Sequence, residues 1–175
     1  MEEPKILNDI SSDNSSNTTQ IKPGENTKLA KALEAAKQEI STLILPEDSI
    51  YALNPVLKAR LKKLTCEHDE EIIFVVAQSK LHGLNPGFIV FTDKKIVLAE
   101  PSIMHFLNIQ LMAFKSFDFI QYVRITDLSA KRGMYMRSLF IKISGGETKE
   151  ISGIKPSDVE LILKFMLKVV EYLET

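Results

Sequence analysis

The sequence is poor in the residues on which several kinds of site depend. It has one cysteine, no tryptophan and seven glycines in 175 residues. The single Cys66 excludes an internal disulfide and a cysteine zinc cluster, which fits a reducing compartment. No glycine-rich loop leads from a predicted strand into a helix, so a phosphate cradle is not indicated. The net charge of -1 provides no electrostatic surface for nucleic acid.

Long hydrophobic runs are also missing. No uncharged apolar run reaches the roughly 18 residues that a transmembrane helix needs. The first twenty residues are acidic and polar, so we expect no signal peptide. The sequence therefore predicts a cytoplasmic protein, with attachment to a membrane surface as the alternative.

Catalytic motifs are absent as well. The histidines are scattered, at His68, His82 and His105. Ser79 and Ser102 lack the Gly-x-Ser-x-Gly elbow of serine hydrolases. The polar run from Cys66 to Glu71 is interpreted as a solvated linker rather than a metal site. We predict no catalytic residue, metal, cofactor, nucleic-acid partner or small-molecule substrate, and a small enzyme without a recognisable motif is the remote alternative.

Composition divides the chain into three parts. Residues 1–26 are dense in Ser, Asn, Asp and Thr and predict a disordered tail. Residues 27–67 predict a helical extension. Its first helix, residues 27–45, is capped by Asn26 or Thr27, and its second begins at Pro55. Residues 68–175 predict one folded domain.

Within that domain the spacing of apolar residues changes from the helical period to every second residue. Seven strands are predicted, at Ile72–Lys80, Gly87–Thr92, Ile96–Ala99, Phe117–Phe119, Thr126–Lys131, Ser138–Ser144 and Lys149–Ile151. A closing helix over Ser157–Glu174 follows, and Ser157 and Glu160 form a predicted capping box. Its apolar face comprises Val159, Ile162, Met166 and Val169.

These segments together resemble the bacterial and archaeal pleckstrin-homology-like domains, the YokE-like bPH group. The turn at Thr92–Lys95 matches the family's "TDKR"-like turn, and Gly133 matches its terminating glycine. Three further matches lie in the middle segment, at Tyr122, Ile125 and Leu128. The resemblance covers about residues 70–173.

The resemblance implies an α+β fold, a split barrel of seven antiparallel strands in two near-orthogonal sheets. A C-terminal helix caps the barrel, and two N-terminal helices precede it here. The resemblance implies no chemistry. Some relatives carry a basic phosphoinositide signature that runs from the end of strand one into strand two. Lys80 and His82 could serve as its start, but the matching positions in strand two are Gly87–Val90, and none is basic. That departure argues against specific phosphoinositide binding.

The uncharged stretch from Pro101 to Phe114 is the main functional clue. Its candidate contact residues are Ile103, Met104, Phe106, Leu107, Leu111 and Phe114. Lys80 and Lys115 are the candidate basic residues beside it. The pattern fits a helix or a strand. Three interpretations stay open, namely buried core, a surface for a protein partner or self-association, and a membrane-contacting loop.

We therefore predict a non-catalytic binding or scaffolding module that acts in protein–protein contact or self-association. The alternative is a peripheral membrane adaptor that uses the same 101–114 loop. A weaker basic cluster, Lys131, Arg132 and Arg137, lies near the predicted turn between the fifth and sixth strands. A solvated turn is the alternative interpretation of that cluster.

Overall fold

The computed structural model describes residues 23–41, 43, 55–67, 69–78, 87–101, 114–133 and 135–175. Two helices come first, α1 at Pro23–Ile40 and α2 at Pro55–Thr65. The strands are β1 Ile72–Gln78, β2 Gly87–Thr92, β3 Lys95–Pro101, β4 Phe114–Gln121, β5 Ile125–Arg132, β6 Arg137–Ile143 and β7 Thr148–Ile154. Helix α3 spans Pro156–Glu174 and completes the fold.

The strands form two antiparallel sheets. One has the order β1-β2-β3-β4, the other β5-β6-β7, and one 3-10 turn at Tyr122–Arg124 joins them. The predicted pair of sheets with a closing helix is confirmed, and each predicted strand overlaps an observed one. Most of the predicted tail lies outside the described residues. Helix α1 begins at Pro23, so the predicted cap at Asn26 or Thr27 is wrong, as is the predicted end at residue 45.

Helix α3 covers the interior between the sheets. Its predicted apolar face, Val159, Ile162, Met166 and Val169, is fully buried. At its centre Phe165 lies edge-on to Phe74, Phe91 and Tyr122, with ring centroids 5.0, 5.8 and 6.3 Å away. Edge-to-face aromatic contacts add to the burial term, so this cluster is a main source of stability. The face of α1 that carries Leu29 and Leu33 packs into the same core.

The start of α3 differs from the prediction. Lys155 occupies the cap position with extended backbone, and Pro156 is the first helical residue. No side chain makes a cap hydrogen bond there. Because Pro has no N–H to satisfy and a fixed φ suited to the first turn, it begins the helix one residue before Ser157. The predicted Ser157–Glu160 capping box is therefore wrong.

Strand β2, inside the four-stranded sheet, is buried on both faces. Every residue of β2 is buried, so its side chains pack alternately toward the interior and away from it. Ile89 and Phe91 belong to the main core, whereas Phe88 and Val90 belong to a second cluster that includes Leu61 of α2. A strand without polar alternation, "GFIVFT", is typical of burial on both sides. Helix α2 thus contributes to an outer layer on this sheet.

Candidate functional site

The apolar stretch from Pro101 to Phe114, the main functional clue in the sequence, lies mostly outside the residues that the structure describes. Lys80 and the candidate residues Ile103, Met104, Phe106, Leu107 and Leu111 lie there. Phe114 and Lys115 are the first two residues of β4, but their side chains are not among those described. The core, docking and membrane interpretations of this stretch therefore stay predictions.

The strand that follows this stretch presents an exposed aromatic side chain. Strand β4 pairs with β3 alone among the described strands, so it is an edge of its sheet. Phe119 is 52% exposed, although its register partner Val97 is fully buried. The Lys95 ammonium lies 5.1 Å from the Phe119 ring centroid, within the range of a cation–π contact. Val123, just beyond the strand, is also exposed.

The weaker basic cluster lies at the far end of the β5–β6 hairpin. Arg132 and Arg137 are directly opposite each other in the ladder, and Lys131 is opposite Ser138. We call Lys131, Arg132 and Arg137, with the tip between them, the basic hairpin. Tyr135 at the tip is 75% exposed.

The tip is closed by a backbone hydrogen bond in which the Gly133 N–H donates to the Met136 carbonyl at 3.0 Å. A Cβ on residue 133 would lie 2.3 Å from that carbonyl oxygen. Only glycine fits this close approach, which gives a physical reason for the family's terminating glycine.

The cations of the basic hairpin lack charge partners within the described part of the chain. The ion pairs found there involve other cations, at Lys37, Lys95, Lys142, Lys149, Lys164 and Lys168. The site therefore presents unneutralised positive charge on an exposed turn.

A second polar group, the junction, lies where the segment after α2 meets the β2–β3 turn. Its members are Glu67, Glu70, Thr92, Asp93 and Lys95. The Glu70 side chain is fully buried, and it accepts hydrogen bonds from the Glu67 N–H at 2.9 Å and the Thr92 hydroxyl at 2.5 Å. Lys95 lies 3.2 Å from Glu70 and 2.8 Å from Glu67. The predicted solvated linker is thus wrong at Glu70.

Electrostatics in the junction follow from these contacts. Hydrogen bonding to Lys95 lowers the pKa of the Glu67 carboxyl. Burial alone would lower the pKa of Lys95, but its bonds to Glu67 and Glu70 outweigh burial and raise it. Both shifts favour the charged forms of Glu67 and Lys95.

Residues of the Thr92–Lys95 turn hold this network together through hydrogen bonds. The Thr92 hydroxyl accepts the N–H groups of Lys94 and Lys95, and Asp93 exchanges hydrogen bonds with the Glu71 backbone. The buried Tyr122 hydroxyl donates to the Thr92 carbonyl at 2.8 Å, and burial raises the pKa of Tyr122 well above its usual value. The turn therefore fastens the segment before β1 to the barrel.

A shallow acidic pocket beside the junction does not amount to a reactive site. It is lined by Lys62, Cys66, Glu67, Asp69, Glu70, Glu71 and Asp93. Burial raises the pKa of the Cys66 thiol, which disfavours the nucleophilic thiolate. In the described part of the chain no three His, Cys, Asp or Glu side chains are arranged to hold a metal ion. Sequence reasoning missed the junction because a buried Glu in a polar run has no distinctive pattern.

Comparison with known proteins gives a family match and a distant structural likeness. The family model described as "Bacterial PH domain" matches residues 67–168. The solved structures include a pleckstrin homology domain from Shewanella amazonensis SB2B, 21% identical, with a TM-score of 0.46, covering 65% of this chain and 85% of that one. No curated protein matches the sequence. None of the described helices has the length and apolar character needed to cross a membrane. The family model matches more than half of the sequence, and the chain therefore belongs to the bacterial PH domain family.

Proposed function

We propose that the protein is a non-catalytic binding module that docks a second protein chain on the exposed side of β4, with another copy of itself as the first candidate. The observation that carries this proposal is the exposure of Phe119 on an edge strand. Membership of the bacterial PH domain family supports it, since such domains are typically non-catalytic binding modules.

Two properties of β4 favour a protein partner. Complete burial of a Phe side chain stabilises a contact by about 1.5–3 kcal/mol, and Phe119 keeps about half of its surface available. An edge strand also offers a row of backbone N–H and C=O groups to which an added strand can hydrogen-bond. The predicted docking stretch, residues 101–114, leads directly into this strand.

The test is size-exclusion chromatography with light scattering on the full chain over a range of concentrations. We expect the wild type to rise above the 19.7 kDa monomer mass and Phe119→Ser to stay at it. Leu167→Ser is the matched control, because Leu167 is 55% exposed on α3. Since both side chains are exposed, melting temperatures should change little. A wild type that is monomeric throughout, or a control that loses association equally, would overturn docking at β4.

A double change, Phe106→Ser with Leu107→Ser, tests the preceding stretch. Loss of association with unchanged melting supports docking. Strong destabilisation supports the core interpretation, because two hydroxyls and two cavities would be buried. Loss of vesicle binding alone would support the membrane adaptor instead.

A further inference from the structure

The basic hairpin lies at one end of the three-stranded sheet. Along β5, Ile125 is buried and Leu128 half-buried, whereas all four residues from Ser129 to Arg132 are exposed, as are Thr126 and Asp127. From Ile125 to Arg132 the strand rises about 23 Å, at roughly 3.3 Å per residue. The tip therefore stands well away from the end of β4 that leads into β5, and it forms a surface separate from Phe119.

The charge arrangement at this end is unfavourable in the isolated chain. Like charges directly opposite each other in an antiparallel pair are destabilising, and Arg132 faces Arg137 in this way. No described acidic side chain forms an ion pair with either, or with Lys131. An anion placed between two guanidinium groups would relieve the repulsion and accept bidentate hydrogen bonds from them.

The tip between the cations is uncharged and carries an exposed aromatic side chain. Residues 133–136 carry no charge, in the sequence Gly-Met-Tyr-Met. Tyr135 is the most exposed of the large hydrophobic side chains in the described chain. A Tyr ring has an apolar body and a polar end, which suits the headgroup level of a bilayer. An uncharged tip flanked by cations thus matches an apolar layer beneath a layer of phosphates.

We propose that the basic hairpin is a docking surface for an anionic lipid bilayer. Tyr135 enters the headgroup region, and Lys131, Arg132 and Arg137 contact lipid phosphates around it. An acidic protein segment would satisfy the cations but would leave the exposed tip without an apolar partner. The bilayer satisfies both features, and the contact adds to the protein docking proposed at β4 without depending on it.

The experiment is co-sedimentation of the full chain with vesicles of equal parts phosphatidylcholine and phosphatidylglycerol, against phosphatidylcholine vesicles. Each basic residue near an anionic surface contributes about a fivefold factor in binding, so changing Lys131, Arg132 and Arg137 together to Gln should weaken binding roughly a hundredfold. Tyr135→Ser should also weaken it. The matched control, Lys62→Gln with Lys63→Gln and Lys164→Gln, removes equal charge from exposed positions on α2 and α3 and should bind like the wild type.

Two further measurements separate this role from its competitors. Removing the facing arginines relieves repulsion, so the triple variant should melt at the same or a higher temperature; a lower value would indicate a structural role and overturn the proposal. Binding should weaken as salt rises, because charges are screened over shorter distances. Equal sedimentation with both vesicle types, equal loss in the control variant, or binding to polyglutamate but not to anionic vesicles would each overturn bilayer docking.

Discussion

The ion pair between Glu70 and Lys95 provides the sharpest test of how the fold is held together. Replacing Lys95 by Met removes the cation and leaves a carboxylate whose side chain is fully buried. Breaking a buried pair by removing one partner costs about 3–5 kcal/mol. Lys95 is 13% exposed and Glu70 keeps two other hydrogen bonds, so we expect the lower end, about 3 kcal/mol.

Lys95→Met forms a double-mutant cycle with a second change, Glu70→Gln. The amide keeps the shape but has one acceptor oxygen for two donors, the Glu67 N–H and the Thr92 hydroxyl. The Thr92 hydroxyl can then donate to the Lys95 carbonyl, 2.8 Å away, so the change should cost only about 1 kcal/mol. In the double variant the buried charge is gone, so its loss should fall short of the sum by about 2 kcal/mol.

The assay is urea and thermal unfolding followed by far-UV circular dichroism. For a chain of this length, about 3 kcal/mol lowers the melting temperature by roughly 6–12 °C. Lys142→Met is the matched control, because Lys142 and Asp127 are 3.0 Å apart but both exposed. Because water screens an exposed pair, its loss should change stability far less than the loss of Lys95. Strict additivity in the cycle, or equal losses for Lys95→Met and Lys142→Met, would refute the assignment of Glu70 as a buried, charged partner.

Two further predictions concern the core. Met166→Ala, at a fully buried position facing the sheets, should cost about 2–5 kcal/mol in denaturant unfolding, and a loss within about 0.5 kcal/mol would show that this face is not core. Tyr122→Phe should cost about 1 kcal/mol at neutral pH by removing the buried hydrogen bond that the Tyr122 hydroxyl donates to the Thr92 carbonyl. Burial raises the folded-state pKa of Tyr122, so its contribution is complete below the unfolded pKa and is lost as pH rises beyond about 10, by up to about 1.4 kcal/mol per pH unit. The Phe variant should therefore lose stability less steeply in alkali than the wild type, and an unchanged slope would contradict this account.

The periodicity of the sequence was enough to predict the strands and the buried face of the closing helix. Alternation did not predict which face is exposed in a strand whose two faces both carry apolar side chains. In β4, Phe117 and Phe119 share one side and Ile120 lies on the other, so the period separates the sides without showing which one meets water. The structure places Ile120 inside and exposes Phe119.

The polar positions were harder still to predict. Glu70 lies in a run of polar residues whose composition is that of a solvated linker. Its burial is tolerated because Thr92, Lys95 and the Glu67 N–H all bond to its carboxylate. At the start of α3, both a proline and a serine satisfied the rules for beginning a helix, and the local pattern alone did not rank them. The basic hairpin was predicted as a cluster, but the direct opposition of Arg132 and Arg137 depends on strand register.

The burial of β2 on both faces means that the residues matched by the family model are fewer than the residues that the packed fold needs. The family match begins at residue 67, after Leu61, which covers part of the outer cluster with Val75 and Val90. It ends at residue 168, just before the buried Val169. A gene fragment cut at those limits would encode every strand yet expose apolar surface on two sides. Helix α1 also packs into the main core, so the smallest fragment that retains this packing must include α1 and α2 and continue past Val169.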